Sequence, residues 1–414
     1  MKIVFLLRGF VNGGVERRIV NLANGFATCG HYVEIAVFQG NCLPPAFEVD
    51  KNVSFYFFSN TVKEKIAEHR PDVSIEQDEC GNNSERVFEK KSKKVHGFQW
   101  YIKRIRKHLP KGLKRIKSVR VLYDKNNIRL CNKYFSYANP DVIITLSMAL
   151  LPYALAATGD LECRVYHALS NAHQKLFVSN NKQTILNLLK QTDSIVVQTK
   201  SEKVFFERDG INVALIHNPL LLDLPVEYIG ERKKTIVSFC RIAPQKNLNL
   251  LIDAFMLFHS EYPEYHLCIY GNTVCDKEEK YRKKILFNIS EKGLNDYVSV
   301  LPFIKDIHNT VRDCAMFVSS SDYEGLSNSM LEAMAIGLPC VCTDCLGGGT
   351  REVMVDHENG LIVPMNDPEA MYRAMKEFVD NPELAEKCSR NAAKIRDKLS
   401  VEKITQQWLD IIGR

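Results

Sequence analysis

Apolar residues in the first half of the chain gather into short unbroken runs: KIVFLL at 2–7, VEIAVF at 33–38, VSFYFF at 53–58, DVIITL at 141–146, RVYHA at 164–168 and DSIVVQT at 193–199. Unbroken runs of this length predict parallel strands covered by helices on both faces, because a strand buried on both sides has no polar face to show. Between the first two runs, Ile19, Leu22, Ala23 and Phe26 share one face of a segment from about Val15 to Thr28. That spacing predicts an amphipathic helix. The first half thus reads as a doubly wound α/β unit.

At 220–234 the sequence LLLDLPVEYIGERKK carries Pro225 and Gly230 and ends in charge, the composition of a crossover between domains. The alternation then restarts with TIVSFC at 235–240, a helix from about Leu248 to Ser260, HLCIYG at 266–271, a charged helix near 277–291, VSVLPF at 298–303 and AMFVSSS at 315–321. A helix over Ser327 to Ile336, the strands LPCVCT and GLIVP, and helices over about 367–380, 382–398 and 401–412 complete it. The expected organisation is α/β: a domain at 1–219, a linker at 220–234, a second doubly wound domain at 235–398 and a C-terminal helix at 399–414. Two such domains facing each other leave a cleft, and ligands in these sheets sit beyond the carboxyl ends of the strands.

Val142 to Gly159 is the longest uncharged apolar stretch and touches the lower length of a membrane span. It follows the turn Asn139-Pro140-Asp141, opens with β-branched residues and contains Pro152, so a buried strand followed by a helix is expected instead of a membrane span.

The 414 residues are 45% hydrophobic and 25% charged, ordinary globular usage that excludes disordered and collagen-like classes. The net charge of +6 is unevenly spread, since residues 86–125 hold 15 Lys plus Arg against Glu89 and Asp124. Phe98, Trp100 and Tyr101 precede an apolar stripe through this basic field, which predicts either contact with an anionic membrane surface or a helix packed on its own domain with solvated cations. Nothing in this distribution points to nucleic acid. Thirteen cysteines, an odd number, and a first apolar run that stops at Arg8 lead us to expect a reducing, cytoplasmic setting, peripheral to the inner membrane face if the basic segment engages it. Cys340, Cys342 and Cys345 contain one C-x-x-C without a second ligand pair, and His167 and His173 stand alone, so no metal is expected.

Candidate chemistry falls just after strands. Gly13 and Gly14 precede the first helix, where bare backbone can approach an anion, or can simply make a tight turn. Arg241 and Lys246 follow TIVSFC and pair a guanidinium fork with a point charge, a combination suited to a diphosphate. Glu324 and Glu332 stand eight residues apart across a helix start, where Gly325, Leu326 and Ser327 offer N–H groups. Gly347, Gly348 and Gly349 at another strand end imply close passage of the backbone past something.

The order of these elements, a Gly-Gly turn, R-x4-K-N, E-G-L-S-N-S-M-L-E-A-M-A-x-G-x-P, G-G-x-x-E and N-G-L-I-V-P, closely resembles the retaining family 4 glycosyltransferases of GT-B fold. The resemblance is dense from about Thr235 to Pro364 and confined to the turns before that. It implies two Rossmann-like domains, with a nucleotide-diphosphate sugar held mainly by the C-terminal one and a glycan or glycolipid acceptor mainly by the N-terminal one. Carried over, Arg241 and Lys246 would hold the donor diphosphate, Glu324 the sugar hydroxyls, Glu332 the ribose, and Gly325 and Leu326 the phosphates through backbone N–H groups. Gly14 would close the turn against the donor, His167 would lie near the reacting sugar, and Asn218-Pro219 resembles the element before the linker. The implied reaction is sugar transfer with retention, in surface polysaccharide or lipopolysaccharide assembly. No cofactor is expected, and D-x-D, the metal motif of another glycosyltransferase fold, is absent. A nucleotide-sugar epimerase of the same fold, or a non-catalytic peripheral lipid- or sugar-binding protein, are the alternatives.

Overall fold

A computed structural model describes residues 1–9, 14–38, 48–58, 125–157, 161–169, 182–220 and 224–413. Gly13, His173, nearly all of the basic segment at 86–125 and linker residues 221–223 lie outside the described residues.

The N-terminal unit runs β1 (Lys2–Leu7), α1 (Gly14–Thr28), β2 (Tyr32–Val37), β3 (Val53–Phe57), α2 (Lys125–Ala138), β4 (Val142–Thr145), α3 (Leu151–Ala157), β5 (Arg164–Ala168), α4 (Lys182–Leu189), β6 (Ser194–Val197), α5 (Lys200–Arg208) and β7 (Val213–Leu215). Among the described residues its sheet has the order β3-β2-β1-β4-β5-β6-β7, every pairing parallel. Ile3, Phe5, Val142, Ile144 and Tyr166 face one side with α1, while Val4, Leu6, Ile143, Val165 and Ile195 face the other with α2 and α3. This two-sided burial is why the strands read as unbroken apolar runs. The stretch from Val142 divides into β4 and α3, and no helix among the described residues is long and apolar enough to cross a membrane.

The C-terminal unit runs β8 (Lys233–Phe239), a 3-10 turn (Pro244–Lys246), α6 (Leu248–Glu261), β9 (His266–Tyr270), α7 (Asp276–Glu291), β10 (Val298–Leu301), α8 (Ile307–Val311), β11 (Cys314–Ser319), α9 (Asn328–Ala335), β12 (Cys340–Thr343), α10 (Gly349–Val353), β13 (Leu361–Val363), α11 (Pro368–Asp380), α12 (Pro382–Ala393), α13 (Ile395–Lys398) and α14 (Val401–Ile412). Its parallel sheet has the order β10-β9-β8-β11-β12-β13. Both sheets therefore reverse direction between their first and fourth strands, and at such switch points the loops diverge and leave a crevice.

Two features hold the units together. Between them, Arg396 donates to the carbonyls of Leu224, Pro225 and Ala335, and Arg232 to those of Arg312, Cys314 and Gly337, so two guanidinium forks tie the linker to the C-terminal unit. Beyond them, α14 crosses back and packs on α1, with Trp408, Ile404 and Ile412 fully buried in the N-terminal core. Tyr166 closes that seam, its ring 6.4 Å from Trp408 and its hydroxyl donating to the Ile411 carbonyl at 2.9 Å.

Candidate active site

The switch point of the C-terminal sheet lies between β8 and β11, and the loops that leave these strands are laced together. Asp322 N–H donates to the Gln245 carbonyl at 3.0 Å, Gln245 Nε2 to the Tyr323 carbonyl at 2.9 Å, and Ser320 Oγ to the Lys246 carbonyl at 2.8 Å. Asn247, in the left-handed region at φ 41°, donates to Asp322 Oδ1 at 2.8 Å and turns the chain into α6.

This lacing brings Lys246 and Glu324 together. Lys246 Nζ lies 2.6 Å from Glu324 Oε1, both side chains are largely buried, and Ser321 Oγ donates to the same oxygen at 3.2 Å. Burial alone would lower the Lys246 pKa, but the Glu324 carboxylate outweighs it and holds the ammonium above its ordinary value. A charged amine thus sits ready beside an acceptor-only carboxylate. Gly325, Leu326 and Ser327, all buried, lead directly into the N-terminus of α9 beside this pair. Arg241 is exposed and its guanidinium lies 3.3 Å from Glu278 Oε1 on α7, at the rim of the same loops.

Glu332 sits one turn along α9 and turns to the other domain. One carboxylate oxygen accepts from Arg17 of α1, and the other lies 2.8 Å from His308 Nε2 of α8. Burial pushes the carboxyl up, and Arg17 and His308 overcome this to hold it below its ordinary value. Asn218 Nδ2 reinforces the contact, donating to Asn328 Oδ1 at 2.8 Å.

The glycine run at 347–349 is explained by backbone packing. A Cβ on Gly349 would stand 1.6 Å from the Gly325 carbonyl oxygen, and Thr199 Oγ1 donates to the Gly347 carbonyl at 3.1 Å. Glu352 then accepts from Lys200 N–H at 2.8 Å, at the N-terminus of α5, and lies 3.3 Å from His217 Nε2. Motif residues at the end of β12 therefore bind the two domains to each other.

His167 lies within β5 and not beyond its end. It is the fourth of five residues in β5, on the same side as Val165, and is 1% exposed, with Nδ1 2.7 Å from Thr145 Oγ1. Burial, with the Arg18 charge beside it, lowers its pKa to about 3, so it is neutral and walled into the sheet. Gly14 is the first residue of α1, at the carboxyl end of β1. Arg17, Arg18 and His308 carry no sequence signal as site residues, because each is brought to the cleft by the docking of distant elements, whereas Glu352 is the Glu of the G-G-x-x-E motif.

Residues 224–395 match the family model described as glycosyl transferases group 1. That match falls on the C-terminal domain, about two fifths of the chain. An uncharacterized glycosyltransferase of Haemophilus influenzae is 24% identical over 406 residues, 97% of this chain and 96% of its own length. The lipopolysaccharide core biosynthesis mannosyltransferase LpcC of Rhizobium leguminosarum is 25% identical over 224 residues, 52% of this chain and 63% of its own. The fold is that of the GT-B enzymes: TarM of Staphylococcus aureus superposes with a TM-score of 0.74 at 18% identity, covering 100% of this chain and 99% of TarM. Anabaena HepE in complex with UDP gives 0.72 at 17% identity with full coverage of both chains.

Proposed function

We propose that this protein is a retaining glycosyltransferase that moves a sugar from a nucleotide-diphosphate donor to a glycan or glycolipid acceptor in surface polysaccharide or lipopolysaccharide assembly. The observation that carries the reading is the buried Lys246–Glu324 pair at the switch point of the group 1 domain. A cation held next to a helix N-terminus suits the charge that grows on a departing diphosphate, and water exclusion strengthens its effect. In this reading Lys246 and Arg241 receive the diphosphate, Arg241 swinging from Glu278, while Gly325 and Leu326 add backbone N–H groups. Glu324 accepts from hydroxyls of the sugar. Glu332 accepts from the ribose, sharing its carboxylate with Arg17 and His308.

The acceptor oxygen attacks the anomeric carbon on the face from which the diphosphate leaves. The bond from that carbon to the phosphate oxygen breaks, and the departing phosphate takes the acceptor proton, so the configuration is retained. Lys246 and Arg241 supply the positive charge, and the reaction is proposed to need no metal. Attachment to the inner face of the membrane through 86–125 belongs to the same reading. Replacing Lys103, Arg104, Arg106 and Lys107 by Gln is then expected to reduce sedimentation with anionic vesicles.

The deciding experiment screens nucleoside diphosphates and their sugars by thermal shift, then reads the product anomer by NMR. A ligand at 100 times its Kd stabilises by about 2.7 kcal/mol. Stabilisation by one nucleotide and a retained anomeric centre are expected. No stabilisation by any nucleotide, an inverted product, or epimerised donor without acceptor would overturn the reading.

A further inference from the structure

The first turn of α1 places a second arginine in the cleft, and its hydrogen bonding is incomplete. Arg18 is 2% exposed, and its Nη1 donates to the Leu169 carbonyl, just past β5, at 2.9 Å. Its Nε and Nη2 donate to nothing. Those two nitrogens form one edge of the guanidinium, the edge that meets two oxygens side-on, and a buried fork left open is costly to keep. Glu202 lies within electrostatic reach, but its Oε2 accepts from the Gln198 N–H, and no hydrogen bond joins it to Arg18. Burial lowers the Arg18 pKa only to about 10, so the charge is present at neutral pH.

Arg18 lines a recess between the domains together with Arg17, Asn218, Asn328, Leu331 and Glu332. The negative charge of Glu332 is already shared by Arg17 and His308. Asn218 Oδ1, which also borders the recess, has no partner. Of the residues that the donor reading uses, Glu332, assigned to the ribose, lines it, whereas Lys246, Arg241 and Glu324, assigned to the diphosphate and the sugar, belong to other loops and do not. The recess therefore has a fork for an anion other than the one at Lys246.

We propose that the Nε and Nη2 edge of Arg18 seats a phosphate or carboxylate carried by the acceptor, so that the acceptor class is an anionic glycan or phospholipid-linked sugar and not a neutral one. The assignment to the acceptor rests on the glycosyltransferase reading, in which the donor belongs to the C-terminal domain. A planar fork fits two oxygens of either group, while the Asn218 carbonyl oxygen can accept from an adjacent hydroxyl.

The test titrates inorganic pyrophosphate by calorimetry into the full chain saturated with whichever of UDP, GDP and ADP binds tightest. A saturable site that persists beside the nucleotide is expected. Arg18→Met is expected to weaken it more than tenfold while leaving nucleotide affinity within twofold, and Arg18→Lys to leave a weakened site. Lys246→Ala is expected to do the reverse, losing the nucleotide and keeping pyrophosphate. Pyrophosphate that binds only in competition with the nucleotide, or an Arg18→Met variant that titrates like the wild type, overturns the proposal. Loss of nucleotide affinity in Arg18→Met assigns the fork to the donor diphosphate and also overturns it. If Arg18→Met does not fold, the wild-type competition and the Arg18→Lys titration decide. If no nucleotide binds, the donor reading fails, and loss of pyrophosphate from nucleotide-free Arg18→Met still supports the anion site.

Discussion

Gly349 rests against the carbonyl of Gly325 so closely that a Cβ would stand 1.6 Å from that oxygen. The two loops touch through bare backbone, and one of them carries the N–H groups at the entrance to α9. Gly349→Ala is therefore expected to push the 325–327 segment aside, costing about 1–3 kcal/mol of stability by overpacking and more than tenfold in nucleotide affinity. Urea unfolding and a nucleotide titration check it. An alanine variant matching the wild type in both would show that the loops yield without consequence.

The Lys246–Glu324 pair separates stability from catalysis. Lys246→Met alone strands a buried carboxylate, and breaking a buried pair costs about 3–5 kcal/mol, while a neutral replacement of both partners is often tolerated. Lys246→Met with Glu324→Gln is expected to regain most of the lost stability and none of the lost transfer. Recovery of transfer in the double variant would remove the pair from the reaction.

At the domain seam, Arg17 and His308 hold the Glu332 carboxyl below its ordinary value of 4.5. The folded state then binds fewer protons than the unfolded chain in acid, so the contribution is complete above about pH 4.5 and is lost as the pH falls through the lowered value. Glu332→Gln is expected to be less stable at neutral pH and to show a shallower acid limb. Parallel urea midpoints from pH 7 to pH 3 test this, and superimposable curves would contradict it.

His167 acts in the same direction for another reason. Its folded pKa of about 3 lies below the ordinary 6.5, so protonation favours the unfolded chain as the pH falls from about 6.5 toward 3. His167→Gln is expected to lose less stability than the wild type over that window and to keep transfer activity within a few-fold. A collapse of kcat in a folded His167→Gln would return the histidine to the reaction.

The doubly wound architecture was legible because continuous apolar runs such as VIIT can be satisfied only between two helical layers. Lys246 and Glu324 were legible because their loops follow such runs. Position in the strand hid the fate of His167, whose neighbours Val165 and Leu169 point into the same core and place it there by alternation. Arg17 and Glu332 are 315 residues apart, and only domain docking reveals their contact. The same is true of Arg18, which stands beside Arg17 in sequence yet is buried against the carbonyl of Leu169. The glycine run signalled a close approach, but the sequence could not say that a neighbouring backbone and Thr199 of the other domain, as much as a ligand, impose it.

Because α14 fills the face of α1 with Trp408, Ile404 and Ile412, the N-terminal unit is finished by a segment that leaves the ribosome only after the whole C-terminal sheet. Gly25 marks the fit, since a Cβ there would lie 2.1 Å from Thr405 Oγ1. Until residues 401–412 emerge, the nascent N-terminal sheet carries an uncovered apolar surface, whereas the C-terminal sheet can bury its own. Contacts of such long sequence separation slow folding and prolong exposure to aggregation. Chains that stall before residue 401 should thus depend on chaperones that the completed protein does without.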